Sequence, residues 1–213
     1  MNLGGNVADS ADNVATNRAR IISDLSMPAP PAWIRLVHGT RVLKVSGPVD
    51  GIEADAVYTD HPGMPLFVPT ADCLPVLLAS SNGAEIAGAH AGWRGLAAGV
   101  IENTVETFRA APERLIAWLG PAIGPTHFEV GEEVREAFVA RAADNAAAFR
   151  PGETSGKYFA DIFLLGRLAL QRAGVTAIHG GGVCTFADSR FFSYRRQGAE
   201  SGRMASVIWI EPR

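Results

Sequence analysis

Between Trp33 and His90 the chain passes through five short apolar runs: Trp33 to His38, Ala54 to Thr59, Leu66 to Pro69, Pro75 to Ala79 and Glu85 to His90. Turn-forming residues such as Gly51, Pro62-Gly63 and Asn82-Gly83 separate them, and runs this short and so punctuated are strands. The first half of the chain is therefore predicted to be a sheet. On either side the spacing changes. From Asp9 to Leu25, Val14, Ile21, Ile22 and Leu25 fall on one helical face, with Asp9 or Ser10 as cap and Pro28, Pro30 and Pro31 beyond the end. From Gly95 to Arg109, Leu96, Val100, Ile101, Val105 and Phe108 repeat at helical spacing. A strand from Leu115 to Leu119, helices from Glu132 to Ala142 and from Asp161 to Ala173, and a last strand from Ser206 to Ile210 complete the reading. Asp161 caps the second of those helices and Gly174 stops it. The Ala-rich stretch from Ala137 to Ala148 is a helix and its fraying end. Strands and helices intermix without strict βαβ alternation, so the fold class is α+β (mixed α/β), layered, with residues 1–213 forming one domain.

Composition narrows the function. Nineteen Lys and Arg against twenty-two Asp and Glu leave a net charge of −3, which excludes bulk electrostatic recruitment of nucleic acid. No run approaches the ~18 apolar residues of a membrane span, and MNLGGNVADS lacks the order of a signal peptide. Cys73 and Cys184 stand far apart in a chain that is no disulfide scaffold, so free thiols and a cytoplasmic location are expected.

Three segments place reactive side chains beside turn residues: VHGT around His38, TADCLP around Cys73 and AHAGWRG around His90. His38 closes a strand-like run just before Gly39. His90 leads into Gly92-Trp93-Arg94-Gly95, where small residues allow close backbone approach and the next helix begins. Two imidazoles and a thiolate make either a three-ligand zinc site with an open fourth position or a cysteine nucleophile with a histidine base. The spacings of 35 and 17 residues match no short zinc motif. Toward the C-terminus Arg190, Arg195, Arg196 and Arg203 interleave with Phe191, Phe192 and Tyr194. Guanidinium groups bind phosphate and aromatic faces stack on planar bases, so this segment and Arg94 are predicted to hold a nucleoside and phosphate. Asp72 and Glu129 are the carboxylates best placed in sequence for proton transfer or for support of the site.

As a set, NLG, VHG, TADCLPVLLA, AHAGWRGLAAGV, GPAIGP with FEVG, and CTFADSRFFSYRR with GR resemble the laccase-domain family over Asn2 to Ile210. That family is known variously as polyphenol oxidase-like proteins, multifunctional purine nucleoside phosphorylases and peptidoglycan editing factors. The resemblance implies a four-layer α/β/β/α sandwich with mixed sheets and a zinc site on His38, Cys73 and His90. It also implies phosphate-dependent cleavage of adenosine, inosine and methylthioadenosine, with adenosine deamination. The expected partners are purine nucleosides and phosphate, for a monomer or homodimer.

Two further activities attach to the family: hydrolysis of a wrong amino acid from a nucleotide-linked peptidoglycan precursor, and copper-dependent phenol oxidation. Five histidines are too few for a multicopper cluster, which needs about ten or more His, Cys and Met ligands. A non-catalytic nucleoside-binding protein is the remaining alternative. The chain departs from the family pattern at Asn6, where His is usual, at Leu36, where Gln is usual, and in lacking a Gly-Gly-Val turn ahead of NLG.

Overall fold

The computed structural model describes residues 1–5 and 7–212. In chain order the elements are α1 (Ala11–Asp24), β1 (Trp33–Arg35), β2 (Val42–Lys44), β3 (Asp50–Glu53), β4 (Ala56–Thr59), β5 (Leu66–Thr70), β6 (Leu74–Ser80) and β7 (Ile86–Ala91). Then come α2 (Trp93–Ala98), α3 (Val100–Glu106), β8 (Leu115–Leu119), β9 (Glu129–Gly131), α4 (Glu132–Arg141), β10 (Phe149–Pro151) and β11 (Lys157–Ala160). α5 (Ile162–Arg172), β12 (Ala177–Gly180), α6 (Tyr194–Gln197) and β13 (Met204–Ile208) finish the chain.

Six strands form the central sheet in the order β12-β8-β6-β7-β4-β2, with parallel pairs at both edges and antiparallel pairs between. Alternation sends Leu74, Val76 and Leu78 of β6 and Leu115, Ala117 and Leu119 of β8 to one face, where α5 packs on them and α2 and α3 pack on the neighbouring β7. Fully burying one such leucine contributes roughly 1.5–3 kcal/mol, and this face holds the larger core. On the other face lies the antiparallel ribbon of β5 and β13, with Val57, Leu66 and Ile86 in a second core. The ribbon covers only part of the sheet, so Ile116 and Trp118 of β8 stay exposed. Outside the ribbon, Arg18 of α1 lies 3.9 Å over the Trp33 ring, which packs on Phe67 of β5. The layers thus run α/β/β/α, with mixed sheets.

Local signals hold at several elements. Ser10 caps α1 through Asn13 N–H, and Asp161 caps α5 through Leu164 N–H. The single helix expected over Gly95 to Arg109 is instead two, broken at Gly99, whose φ of 105° is left-handed and whose missing Cβ leaves room for Arg141. α1 buries only Val14 of its apolar face. β1 stops at Arg35, short of His38, and the last strand starts at Met204 and ends at Ile208. The fraying end beyond α4 is a 3-10 turn. β2, β3, β10, β11 and β12 are too short, and mostly too exposed, to carry a periodic signal of their own.

Glu85 ties the sheet to the loop after α3. Its buried carboxylate accepts from Tyr58 OH at 2.6 Å and from the amides of Arg109 and Ala110 at 2.9 and 3.1 Å. Burial pushes the Glu85 carboxyl up, but these donors and the Arg109 charge outweigh it and leave it below its ordinary range. A lowered carboxylate stabilises the fold above its ordinary pKa and loses that contribution as pH falls through the folded value. Glu85→Gln is therefore expected to cost about 1–3 kcal/mol in urea unfolding at pH 7. The difference from the unchanged protein should shrink at pH 3. A constant gap across pH would remove the charge from the explanation.

Candidate metal centre and cavity

The three ligand-type side chains converge from separate elements. His90 lies near the end of β7, Cys73 precedes β6, and His38 sits in the turn after β1. One ligand atom from each lies within 4.8 Å of the other two. Among the described residues this is the one group of three or more His, Cys, Asp or Glu side chains able to hold a metal ion. His38 has φ of 58°, left-handed for a side-chain-bearing residue. The conformation is held because Asp55, fully buried, accepts the amides of Val37, His38 and Gly39 at 3.3, 2.9 and 2.7 Å. The same carboxylate meets His90 Nδ1 at 3.0 Å, which leaves Nε2 of that ring as the ligand atom. Asp55 therefore positions both histidines. Sequence reasoning missed it, since it reads as part of an ordinary apolar strand.

Gly92 closes one side of the trio. A Cβ there would stand 3.0 Å from the His38 ring, 3.1 Å from Cys73 Sγ and 3.2 Å from the His90 ring. Only a residue without a side chain leaves that space open. Burial pushes the Cys73 thiol up, but the His90 charge and hydrogen bonds from both imidazoles prevail and bring it to about 6. Burial pushes His90 down, but the Cys73 thiolate and the Asp55 hydrogen bond raise it to about 9. Each of the two groups thus favours the charged form of the other. Two nitrogens and one soft sulfur, with an anchored histidine and an open side, fit the three-ligand form of a zinc site.

The trio opens into a cavity of about 680 Å³. Of the residues singled out above, Arg94, Arg195, Arg203, Tyr194 and Asp72 line it, joined by Leu36, Arg18 and Arg35. Asp72, however, holds no free carboxylate. It takes Thr185 Oγ1–H at 2.6 Å, Ser193 Oγ–H at 3.0 Å and Arg195 N–H at 2.7 Å. With φ of 83° next to Cys73, it ties the C-terminal segment to the residue before the thiol.

Arg190, Phe191, Phe192, Arg196 and Glu129 lie outside the cavity. The Arg196 guanidinium donates to the carbonyls of Thr185, Phe186 and Phe191, so it holds the segment's own backbone together. Arg190 pairs with Asp188 at 2.6 Å on the surface, and Phe192 packs against Gly202. Glu129 is exposed on β9 and gives its backbone carbonyl to Arg195. The departure at Asn6 falls outside the described residues.

The family model described as multi-copper polyphenol oxidoreductase laccase matches residues 1–211. The Escherichia coli K12 protein named purine nucleoside phosphorylase YfiH is 50% identical over 212 residues, covering 99% of this chain and 86% of that one. A Pseudomonas aeruginosa purine nucleoside phosphorylase is 47% identical, also over 99% and 86%. A crystal structure of a Neisseria meningitidis protein superposes with a TM-score of 0.92 at 42% identity, over 99% of this chain and 86% of that one. Geobacillus stearothermophilus YlmD gives 0.90 at 29% identity, over 99% and 85%. A whole-chain family match, relatives of this identity and one shared fold lead to one conclusion: the chain belongs to the laccase-like polyphenol oxidoreductase family, among relatives that carry the name purine nucleoside phosphorylase.

Proposed function

We propose that residues 1–213 form one zinc-dependent purine nucleoside phosphorylase domain that cleaves adenosine, inosine and methylthioadenosine, with adenosine deamination as a side activity. The observation that supports it is the cavity of about 680 Å³ in which the His38, Cys73 and His90 trio opens among arginines and aromatic rings. Its volume suits a nucleoside-sized ligand. The names of the relatives supply the reaction class, and the deaminase activity rests on the family resemblance.

In phosphorolysis a phosphate oxygen bonds to the sugar C1′ and the C1′–N9 bond breaks. Its electron pair leaves with the purine, which takes up a proton released by the phosphate. The protein's task is to hold an anion and a flat base in line, and guanidinium groups and aromatic walls do both. A zinc ion on the trio supplies Lewis-acid character and a lowered pKa for a bound water. His90, fixed through Asp55, and the Cys73 thiolate would hold it, with His38 completing the set. A single three-donor group among the described residues favours one metal ion over a multicopper cluster. Free Cys73 and Cys184 accord with a cytoplasmic enzyme.

The test is chromatographic. Purified protein incubated with inosine is expected to release hypoxanthine and ribose 1-phosphate only when phosphate is present, with zinc found by elemental analysis. A zinc-loaded protein that releases no base under these conditions would overturn the reading. It would direct attention to amide hydrolysis of a nucleotide-linked cell-wall precursor.

A further inference from the structure

Five arginines line the cavity: Arg18, Arg35, Arg94, Arg195 and Arg203. Four are committed. Arg18 donates to Leu3 O at 3.1 Å and lies on Trp33. Arg35 pairs with Glu53. Arg195 donates to His127 O and Glu129 O at 3.3 and 3.0 Å, and Arg203 to Ser201 O and Gly202 O at 2.6 and 3.1 Å. A guanidinium already bound to carbonyls or a carboxylate has less left to offer an incoming anion.

Arg94 differs from all four. Among the described residues its guanidinium has no hydrogen-bond acceptor and no acidic partner, and its only neighbour of note is the Trp93 ring, 4.4 Å below. Stacking on an indole holds a guanidinium in place while its N–H edge stays free. It is also exposed within the cavity. It stands two residues after Gly92, where a Cβ would meet all three ligand-type side chains. The free cation is thus built onto the same turn that closes the trio.

We infer that Arg94 is the phosphate-holding residue of this cavity, its ligand being inorganic phosphate placed beside the His38, Cys73 and His90 trio. The C-terminal arginines serve the architecture instead. The inference rests on the phosphorylase reading for its catalytic consequence, but its binding consequence stands separately.

Two measurements separate the two. In steady-state turnover of inosine by the zinc-loaded protein, Arg94→Ala is expected to raise the phosphate KM about 10–100-fold, the loss of one charge-assisted contact. Arg94→Lys should fall between, and zinc content and the inosine KM should stay near those of the unchanged protein. Arg196→Ala should leave the phosphate KM unchanged and lower the Tm, because it removes donors from three backbone carbonyls. An unaltered phosphate KM in Arg94→Ala, or a rise in the inosine KM alone, overturns the assignment. If the unchanged protein releases no base, the phosphorylase reading fails, and calorimetric titration with inorganic phosphate still decides the matter. Weakened phosphate binding in Arg94→Ala then supports the site, and equal or absent binding in both proteins removes it.

Discussion

Cys73→Ala is expected to abolish metal binding and to lower nucleoside turnover by at least about a thousandfold, while circular dichroism and thermal unfolding stay close to those of the unchanged protein. Removing the sulfur leaves two imidazoles, one of them exposed, too few donors for a three-ligand zinc site. The loss corresponds to about 4 kcal/mol of transition-state stabilisation, within the several kcal/mol that a metal Lewis acid supplies. The fold should tolerate the change, since the side chain is small and half-buried and the sheet core lies elsewhere. The measurement is zinc content beside kcat. Full turnover by a metal-free Cys73→Ala protein would end the zinc reading. The cysteine-nucleophile alternative predicts something different: activity that survives chelation and a covalent adduct on Cys73 detectable by mass spectrometry.

The second large effect belongs to Asp55. Its one carboxylate orients His90 and accepts three consecutive amides around His38. Burial pushes the Asp55 carboxyl up, but the His90 hydrogen bond and the Gly39 and Val37 amides keep it below its ordinary range. It is thus an anion inside the protein. Asp55→Asn keeps the shape and removes the charge, and should weaken zinc affinity about 10–100-fold in competition with a chromophoric chelator. Asp55→Ala should add about 3 kcal/mol or more of lost stability, because it orphans three amides and a buried imidazole. A cobalt-substituted protein gives a second readout: the thiolate-to-metal absorption should shift in Asp55→Asn if the histidines have moved. Unchanged affinity and spectrum would reduce Asp55 to a loop anchor.

How far these outcomes could be foreseen differs from residue to residue. His38, Cys73 and His90 stand out because each sits at the edge of an apolar run beside turn-forming residues, and the resemblance groups them. Asp55 carries no such mark. It lies 17 residues from His38 and 35 from His90, and only the pairing of β4 with β7 brings it under the imidazole. The arginine segment shows the opposite error. Four guanidiniums in fourteen residues announce a demand for acceptors, yet composition is silent on whether phosphate or backbone carbonyls will meet it. In this fold Arg196 and Arg195 find carbonyls, and among the described residues Arg94 finds no acceptor.

The sequence by itself determined the family, the mixed α/β class, the trio, and elements such as α5 and β8, because the cap of the one and the alternation of the other are local properties of contiguous residues. Tertiary structure alone decided the break at Gly99, the short pairings of β2, β3 and β10 to β12, the carboxylate behind both histidines and, among the described residues, the one cavity-lining arginine left without an acceptor. Those depend on which distant groups become neighbours. A hydrogen bond is satisfied by whatever acceptor the fold brings within about 3 Å, and one-dimensional spacing does not encode that distance.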